Sequence, residues 1–211
     1  MYVAIEGVIG VGKTTLARLL QNTFNAEILL EVFEENPFLS DFYIDRDRYA
    51  FQTQIFFLLS RYHQQRRTVN EITSTGRSLF ADYTFAKDAL FARINLRGDE
   101  LDMYYKVHEA LAEKIPKPDL LVYLQATTDT LMQRIALRDR PYERQMERAY
   151  IHELNMAYDD FFSKPFDHTP VLTIDTNNLN IIQNPEHLKW TENRIRQSLS
   201  LPPFQQSLHL P

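Results

Sequence analysis

The sequence predicts an α/β fold with a doubly wound, five-stranded parallel sheet, and three observations lead to it. Segments with the pattern of buried strands alternate with segments of helical periodicity along the chain. A glycine-rich stretch at residues 7–14 lies between the first strand and the first helix. The 211 residues, 44% of them hydrophobic, are enough to form one core. We therefore treat residues 1–211 as a single domain.

The predicted elements follow this alternation. Short apolar segments predict strands at residues 2–6, 27–31, 78–82, 120–124 and 171–175. Helical periodicity predicts helices at residues 13–24, 46–71, 85–96, 100–114, 128–138 and 144–163. Because helices separate consecutive strands, the sheet should be parallel and covered on both faces. The segment after about residue 185 is weakly patterned and is expected to cap the fold or to fray.

The glycine-rich stretch has the complete pattern of a phosphate-binding loop. Glycines let successive backbone N–H groups point at one anion, and the helix N-terminus adds the positive end of its dipole. Lys13 is expected to reach the terminal phosphates of a nucleoside triphosphate, and the Thr14 hydroxyl is expected to ligate Mg²⁺. The pattern G-x-x-x-x-G-K-[ST] is formed by Gly7, Val8, Ile9, Gly10, Val11, Gly12, Lys13 and Thr14, followed by Thr15.

Composition narrows the choice of partners. A net charge of −5 argues against binding a nucleic-acid polymer. No apolar run approaches the ~18 residues that a membrane-spanning helix needs, so no membrane partner is expected. The chain has no cysteine, which excludes disulfides and fits a cytoplasmic location. With 14 Phe and 11 Tyr, the chain has enough aromatic residues for a core and for a pocket that sandwiches a flat base.

Two carboxylates, Glu31 and Asp82, end the second and third predicted strands. Ligands of parallel α/β sheets bind at the carboxyl ends of the strands, so both side chains should face the crevice that contains the P-loop. Phosphoryl transfer requires mainly positioning, Mg²⁺ and a group that orients the acceptor hydroxyl. Glu31 suits the acceptor-side base and Asp82 suits a partner of Mg²⁺. The alternative for each is a capping or solvated carboxylate.

Three arginines follow the fourth predicted strand. Arg134 and Arg138 are four residues apart on one helix face, and Arg140 lies just beyond, before Pro141. This is the usual place of a mobile lid over ATP, here about residues 134–148. Its guanidiniums can stabilise charge on the transferring phosphoryl group. A solvated basic face is the alternative.

The helix predicted at residues 46–71 carries a candidate base reader. Gln54 and Arg61 are seven residues apart and therefore share a helix face with Leu58. A Gln amide can donate to and accept from one edge of a nucleobase. From the spacing alone, a plain polar stripe is equally compatible.

Residues 2 to about 176 together resemble the deoxynucleoside kinase family, which includes deoxycytidine, deoxyguanosine and deoxyadenosine kinases. Ile5-Glu6-Gly7-x-Ile9-Gly10-x-Gly12-Lys13-Thr14-Thr15 is similar to its P-loop. Glu31-Val32-Phe33-Glu34-Glu35-Asn36-Pro37 resembles the segment that begins with the catalytic Glu of the bacterial branch, although Val32 stands where Pro is usual. The spacing agrees as well, since Tyr43 lies eleven residues before Gln54, Arg61 seven after it, and Asp88 six after Asp82.

The resemblance implies a P-loop NTPase fold of the nucleoside-kinase type that moves the γ-phosphate of ATP to the 5′-hydroxyl of a deoxyribonucleoside. The implied catalytic residues are Glu31, Lys13, Asp82, Arg134 and Arg138. ATP is assigned to residues 7–15, Arg138 and Thr176, and Mg²⁺ to Thr14 and Asp82. In the substrate site, Tyr43 and Glu143 hold the sugar 3′-hydroxyl, and Gln54, Arg61 and Asp88 read the base. The implied substrate residues are Glu31, Phe33, Leu39, Phe42, Tyr43, Gln54, Leu58, Arg61, Asp82, Asp88, Arg140, Glu143 and Tyr150.

One motif departs from the family. The acidic-Arg-Ser/Thr motif of most relatives reads Asp82-Tyr83-Thr84 here. The family Arg contacts the catalytic Glu and the reacting oxygens, a role that Tyr83 cannot fill as a cation. Either a lid arginine compensates or turnover is reduced. The resemblance further implies a purine deoxynucleoside as substrate, with deoxycytidine as the alternative, and a homodimer built from helices near residues 46–70 and 84–114.

Two other functions compete with this prediction. A nucleoside monophosphate kinase such as a thymidylate kinase shares the P-loop and lid but needs cations that hold the acceptor's phosphate. Glu31, Tyr43 and Glu143 are anionic or neutral, so they disfavour it. A P-loop switch or a nucleotide-binding protein with little turnover is the third reading, although the guanine-reading pattern Asn-Lys-x-Asp is absent.

Overall fold

The computed structural model describes residues 1–166 and 168–203 and confirms the α/β fold. The strands are β1 (Tyr2–Glu6), β2 (Ala26–Leu29), β3 (Ser78–Ala81), β4 (Leu120–Gln125) and β5 (Val171–Asp175). The helices of the described part are α1 (Lys13–Thr23), α2 (Leu39–Ile44), α3 (Arg46–Thr73), α4 (Lys87–Asn95), α5 (Gly98–Ala112), α6 (Thr128–Arg138), α7 (Arg148–Phe162) and α8 (Pro185–Ser198). Short 3₁₀ turns lie at Phe33–Glu35 and Pro141–Glu143.

The five strands form one parallel sheet in the order β2-β3-β1-β4-β5. β1 is central, with Ala4 paired to Ala81 of β3 on one side and to Leu121 of β4 on the other. All five carboxyl ends therefore meet at one edge, where the loop after β1 begins.

Helices cover both faces of the sheet, because alternate side chains of β1 pack against different helices. Tyr2 and Ala4 pack in a cluster with Val69 and Ile72 of α3. Val3 and Ile5 point the other way, into the larger cluster that contains Leu16 and Leu20 of α1.

The strand ends differ from the prediction in a way that matters for the site. β2 ends at Leu29 and β3 at Ala81, so Glu31 and Asp82 lie just beyond the ladder rather than in it. The last backbone bond runs from the Asp82 N–H to the Leu29 carbonyl (3.1 Å). The Glu31 N–H then donates to the Asp82 side chain (2.8 Å), so a carboxylate replaces the next rung.

Two helices begin later in the structure than the sequence predicts. α4 begins at Lys87 rather than 85, because the Thr84 N–H donates to the Glu6 carboxylate (2.6 Å) and the chain turns before entering the helix. α7 begins at Arg148 rather than 144, because the chain first forms the 3₁₀ turn after Arg140.

No helix is predicted from the sequence at residues 185–198, where the structure has α8. Asn184 caps this helix through its side chain, which accepts from the Glu186 N–H (3.0 Å), and Pro185 occupies the first turn. Ile195 is fully buried, and Arg196 donates to the Thr23 carbonyl (2.7 Å) at the end of α1. The rest of the predicted tail, residues 204–211, lies outside the described residues.

Within residues 1–166 and 168–203, none of the helices combines the length and the apolar character that a bilayer crossing requires.

Candidate active site

The P-loop joins β1 to α1, as the sequence predicts, and two of its glycines are required by geometry. Gly7 and Gly10 have φ angles of 144° and 88°, in the region that side chains rarely adopt. A Cβ on Gly7 would lie 2.5 Å from the Leu124 carbonyl oxygen, and one on Gly10 would lie 2.8 Å from Ile135 Cγ1. The loop therefore packs against β4 and α6, which fixes it at the edge of the sheet.

In the free protein, Lys13 folds back over the loop. Its Nζ donates to the carbonyls of Gly7 (2.6 Å) and Val8 (3.2 Å). Burial and, to a smaller extent, the positive charge of Lys87 lower the pKa of Lys13 to about 8, although nearby carboxylates oppose this shift. The Lys13 ammonium therefore lies within the loop, at the place where an anion would bind.

The Thr14 hydroxyl donates to one oxygen of Asp82, and the other oxygen accepts from the Glu31 N–H. A hydroxyl and a carboxylate are hard oxygen donors, which fit Mg²⁺ bound mainly through substrate phosphates and water. The described residues contain no cluster of three or more His, Cys, Asp or Glu side chains that could hold a metal by themselves. Thr14 and Asp82 would hold Mg²⁺, which would neutralise charge on the phosphates.

Glu31 lies at the centre of the acceptor side. One carboxylate oxygen accepts from Arg61, through Nε at 2.8 Å and through a second guanidinium nitrogen. The other accepts from Lys87 Nζ at 2.6 Å. Burial alone would raise the pKa of Glu31, but the positive charges of Arg61 and Lys87 hold this pKa well below its usual range. Glu31 is therefore an ionised carboxylate whose orientation is fixed by two cations.

Arg61 links Glu31 to the predicted base-reading group. Its third guanidinium nitrogen pairs with Asp88, which is fully buried. The second Asp88 oxygen and the Gln54 amide oxygen are buried without a hydrogen-bond partner among the described residues. Such unpaired acceptors are costly unless a ligand supplies donors. Gln54, Arg61 and Asp88 thus have the properties expected of a base site.

The acceptor-side crevice brings most of the predicted residues together. Its cavity volume is about 100 Å³, below the roughly 300–1,000 Å³ usual for small-molecule sites, so substrate entry requires the crevice to open. The predicted residues that line it are Gly7, Ile9, Gly10, Lys13, Thr14, Glu31, Phe33, Leu39, Tyr43, Arg61, Asp82, Arg138, Arg140 and Glu143.

Four predicted substrate residues besides Asp88 do not line this crevice. Leu58 and Gln54 are buried in α3 behind it. Phe42 packs edge-to-face on Tyr43 (ring centroids 5.2 Å apart) and on Tyr150 (6.1 Å). Tyr150 lines a neighbouring cavity, and its pKa is raised by burial to about 12. These side chains form the wall that positions the lining residues.

The three arginines do not converge on one point in the free protein. Arg134 donates to the Val11 carbonyl (3.2 Å) and to Thr176, whose hydroxyl and carbonyl lie at 2.9 and 2.6 Å. Arg138 forms a bidentate pair with Glu143, and Arg140 approaches the same carboxylate at 3.7 Å. Arg138 and Arg140 therefore meet at Glu143, whereas Arg134 is directed to the P-loop and Thr176.

A second cavity, of about 600 Å³, lies on the other side of the P-loop. Arg138 lines both cavities, which places it between them. The predicted ATP residues in the second cavity are Gly10, Val11, Gly12, Thr15, Arg138 and Thr176. The predicted catalytic residue Arg134 and residues 177–182 also line it. The Val8 side chain lines neither cavity because it is buried in the core.

Sequence reasoning missed several lining residues, of which Lys87 is the most informative. A single lysine in the first turn of a predicted helix has no distinctive spacing, and only the fold shows that it contacts Glu31. The aromatic richness of the chain was the one signal for the others. The missed lining residues are Phe57, Lys87, Phe91, Tyr142 and Tyr158.

Tyr83, which stands where the motif has Arg, forms a hydrogen bond with α3. Its hydroxyl donates to Gln64 Oε1 (2.5 Å), and Gln64 Nε2 donates to the Leu30 carbonyl (2.9 Å). Tyr83 therefore supports the segment immediately before Glu31 from the side of α3.

Comparison with known proteins agrees with this geometry. The family model described as deoxynucleoside kinase matches residues 3–199. A deoxyguanosine kinase of Bacillus subtilis is 36% identical over 175 residues, which make up 83% of this chain and 84% of that protein. A deoxyadenosine kinase of Dictyostelium discoideum is 33% identical over 179 residues, or 82% of this chain and 71% of that protein.

Solved structures share the fold. The structure of deoxyadenosine kinase from M. mycoides with the products dCMP and a flexible dCDP bound aligns with a TM-score of 0.82 at 24% identity. The alignment covers 93% of this chain and 100% of that one. The match of the family model over nearly the whole described chain, together with the two relatives, leads to one conclusion: this chain belongs to the deoxynucleoside kinase family.

Proposed function

We propose that the protein transfers the γ-phosphate of ATP to the 5′-hydroxyl of a purine deoxyribonucleoside. The observation that carries the proposal is the position of Glu31, an ionised carboxylate held by Arg61 and Lys87 in the same crevice as Lys13 and Thr14. A carboxylate that can act as general base beside a P-loop is the arrangement that phosphoryl transfer to a hydroxyl requires.

The residues divide the reaction between them. Lys13, the loop N–H groups and Mg²⁺ on Thr14 and Asp82 would hold the phosphates of ATP, with its adenine in the cavity beside Thr176. Arg138 would neutralise charge on the phosphoryl group, since it lies between the two cavities. Residues 134–148 would act as the lid.

The charge pairing disfavours a nucleoside monophosphate as acceptor. Lys87 is already paired with Glu31, and Arg61 with Glu31 and Asp88. Arg138 and Arg140 share Glu143. A phosphate group on the acceptor would meet carboxylates that already compensate these cations, which is unfavourable.

The buried acceptors favour a base that offers several donors. Gln54 Oε1 and Asp88 Oδ2 both lack a partner among the described residues, and the exocyclic amine of a purine can supply donors. The named relatives are deoxyguanosine and deoxyadenosine kinases. Tyr43 and Glu143 would hold the sugar 3′-hydroxyl, which favours 2′-deoxy substrates.

We extend the proposal to the whole molecule. Residues 1–211 would act as one domain, in the cytoplasm where ATP and nucleosides are found. A homodimer would form through α3 and α5, on which Leu59 and Met103 are exposed apolar residues.

The test is ADP release from Mg-ATP with each of the four natural deoxynucleosides and with each of their 5′-monophosphates. We expect turnover with deoxyguanosine or deoxyadenosine and little with any monophosphate. Turnover confined to monophosphates would replace this proposal by a monophosphate kinase. ADP release that needs no acceptor would indicate a nucleotide hydrolase.

A further inference from the structure

We propose that Lys87 is the acceptor-side cation of phosphoryl transfer, which fixes Glu31 and compensates negative charge at the reacting oxygens. The inference rests on the proposed function and assigns a residue to the place that Tyr83 cannot fill as a cation. Its support is geometric and comes from α4, β3 and the P-loop.

The first support is the contact itself. Lys87 Nζ lies 2.6 Å from Glu31 Oε2, while Arg61 holds the other oxygen. Two cations on two oxygens fix the rotation of the carboxylate as well as its position. In these contacts Arg61 is paired with Asp88 as well as with Glu31, whereas Lys87 is paired with Glu31 alone.

The second support is burial. Lys87 is only 4% exposed, yet it lines the crevice beside Glu31. A buried ammonium is costly unless it is paired, so a lysine with a packing role alone would be replaced favourably by an apolar residue. The rings of Tyr83 and Phe91 flank it, with centroids 5.4 and 6.0 Å from Nζ. They keep the ammonium directed towards Glu31.

The third support is the crevice that Lys87 shares with the P-loop. Glu31, Lys87 and Lys13 all line it. Lys87 therefore faces the space in which, under the proposed function, the acceptor oxygen meets the γ-phosphate.

Its part in the reaction follows from this place. The 5′-oxygen forms a bond to the γ-phosphorus, the bond from that phosphorus to the departing ADP oxygen breaks, and the hydroxyl proton passes to Glu31. Lys87 takes no part in this proton transfer. Once Glu31 is neutralised by the proton, the Lys87 charge remains beside the oxygens that carry the developing negative charge.

The experiment compares Lys87→Met, which keeps the length and packing of the side chain, with Lys87→Arg, which keeps the charge. Lys164→Met is the matched control, because Lys164 forms an exposed pair with Asp160 away from the crevice. For Lys87→Met we expect kcat to fall about 10²-fold or more, the scale of losing one stabilising donor. ATP affinity and the midpoint of thermal unfolding should stay near the wild-type values, and Lys87→Arg should recover most of kcat.

Three outcomes would overturn the inference. Lys87→Met could keep kcat within about threefold of the wild type, a difference below 1 kcal/mol. Lys87→Arg could be as impaired as Lys87→Met, which would indicate packing rather than charge. The loss in Lys87→Met could appear only in KM. A wild-type protein that phosphorylates none of the deoxynucleosides would instead overturn the proposed function, and this inference with it.

Discussion

At the residue scale, the site is a set of charges that neutralise one another until substrate arrives. Glu31 is shared by Arg61 and Lys87, and Glu143 by Arg138 and Arg140. Under the proposed function, substrate binding would exchange some of these pairs for contacts with the nucleoside and the phosphates. Each of these six charged side chains is therefore paired with an opposite charge in the structure.

Lys13 gives a prediction about proton uptake. Its pKa in the free protein is about 8, so near pH 8 about half of the protein carries a neutral Lys13. ATP phosphates favour the charged form and raise this pKa, so binding should take up about half a proton at pH 8 and much less at pH 7. Calorimetry of ATP binding in buffers of different ionisation enthalpy measures the uptake. Equal uptake at both pH values would contradict the assignment.

At the element scale, the sequence predicted those helices, strands and loops that a local residue pattern determines. The P-loop, the five strands and α6 follow from residue types that leave few alternatives. The helix starts at 87 and 148 could not be predicted, because they depend on bonds such as that from the Thr84 N–H to Glu6. α2 is only six residues long and gives no periodic signal.

α8 escaped prediction because its surface is largely polar, although Asn184 and Pro185 form a helix start that could have been recognised. α8 contributes Ile195 to the core. We predict that Ile195→Ala lowers the free energy of unfolding by about 2–5 kcal/mol, as expected for a fully buried side chain.

Chemical denaturation measures this loss, with Ile182→Ala as the control, because Ile182 is 72% exposed and should change stability by less than about 0.5 kcal/mol. Similar small losses in both variants would show that α8 does not contribute to the core.

At the scale of the whole molecule, the sheet order places the ends of β1, β2 and β3 side by side, and this brings Lys13, Glu31 and Asp82 into one crevice. The sequence predicted these three residues, because a motif or a strand end marks each of them. Lys87 and the aromatic lining could not be predicted, since their place depends on how α4 crosses the sheet. The contact of Lys87 with Glu31 is visible only in three dimensions.

The central claim is that Glu31 accepts the proton of the 5′-hydroxyl. The most direct measurement is kcat for formation of the deoxynucleoside 5′-monophosphate by Glu31→Gln. Glu27→Gln is the control, because Glu27 lies in β2, shortly before Glu31, and forms an exposed pair with Arg77. We predict that Glu31→Gln lowers kcat by about 10²–10⁴-fold with ATP binding retained, while Glu27→Gln remains active. A Glu31→Gln variant with wild-type kcat would contradict the account.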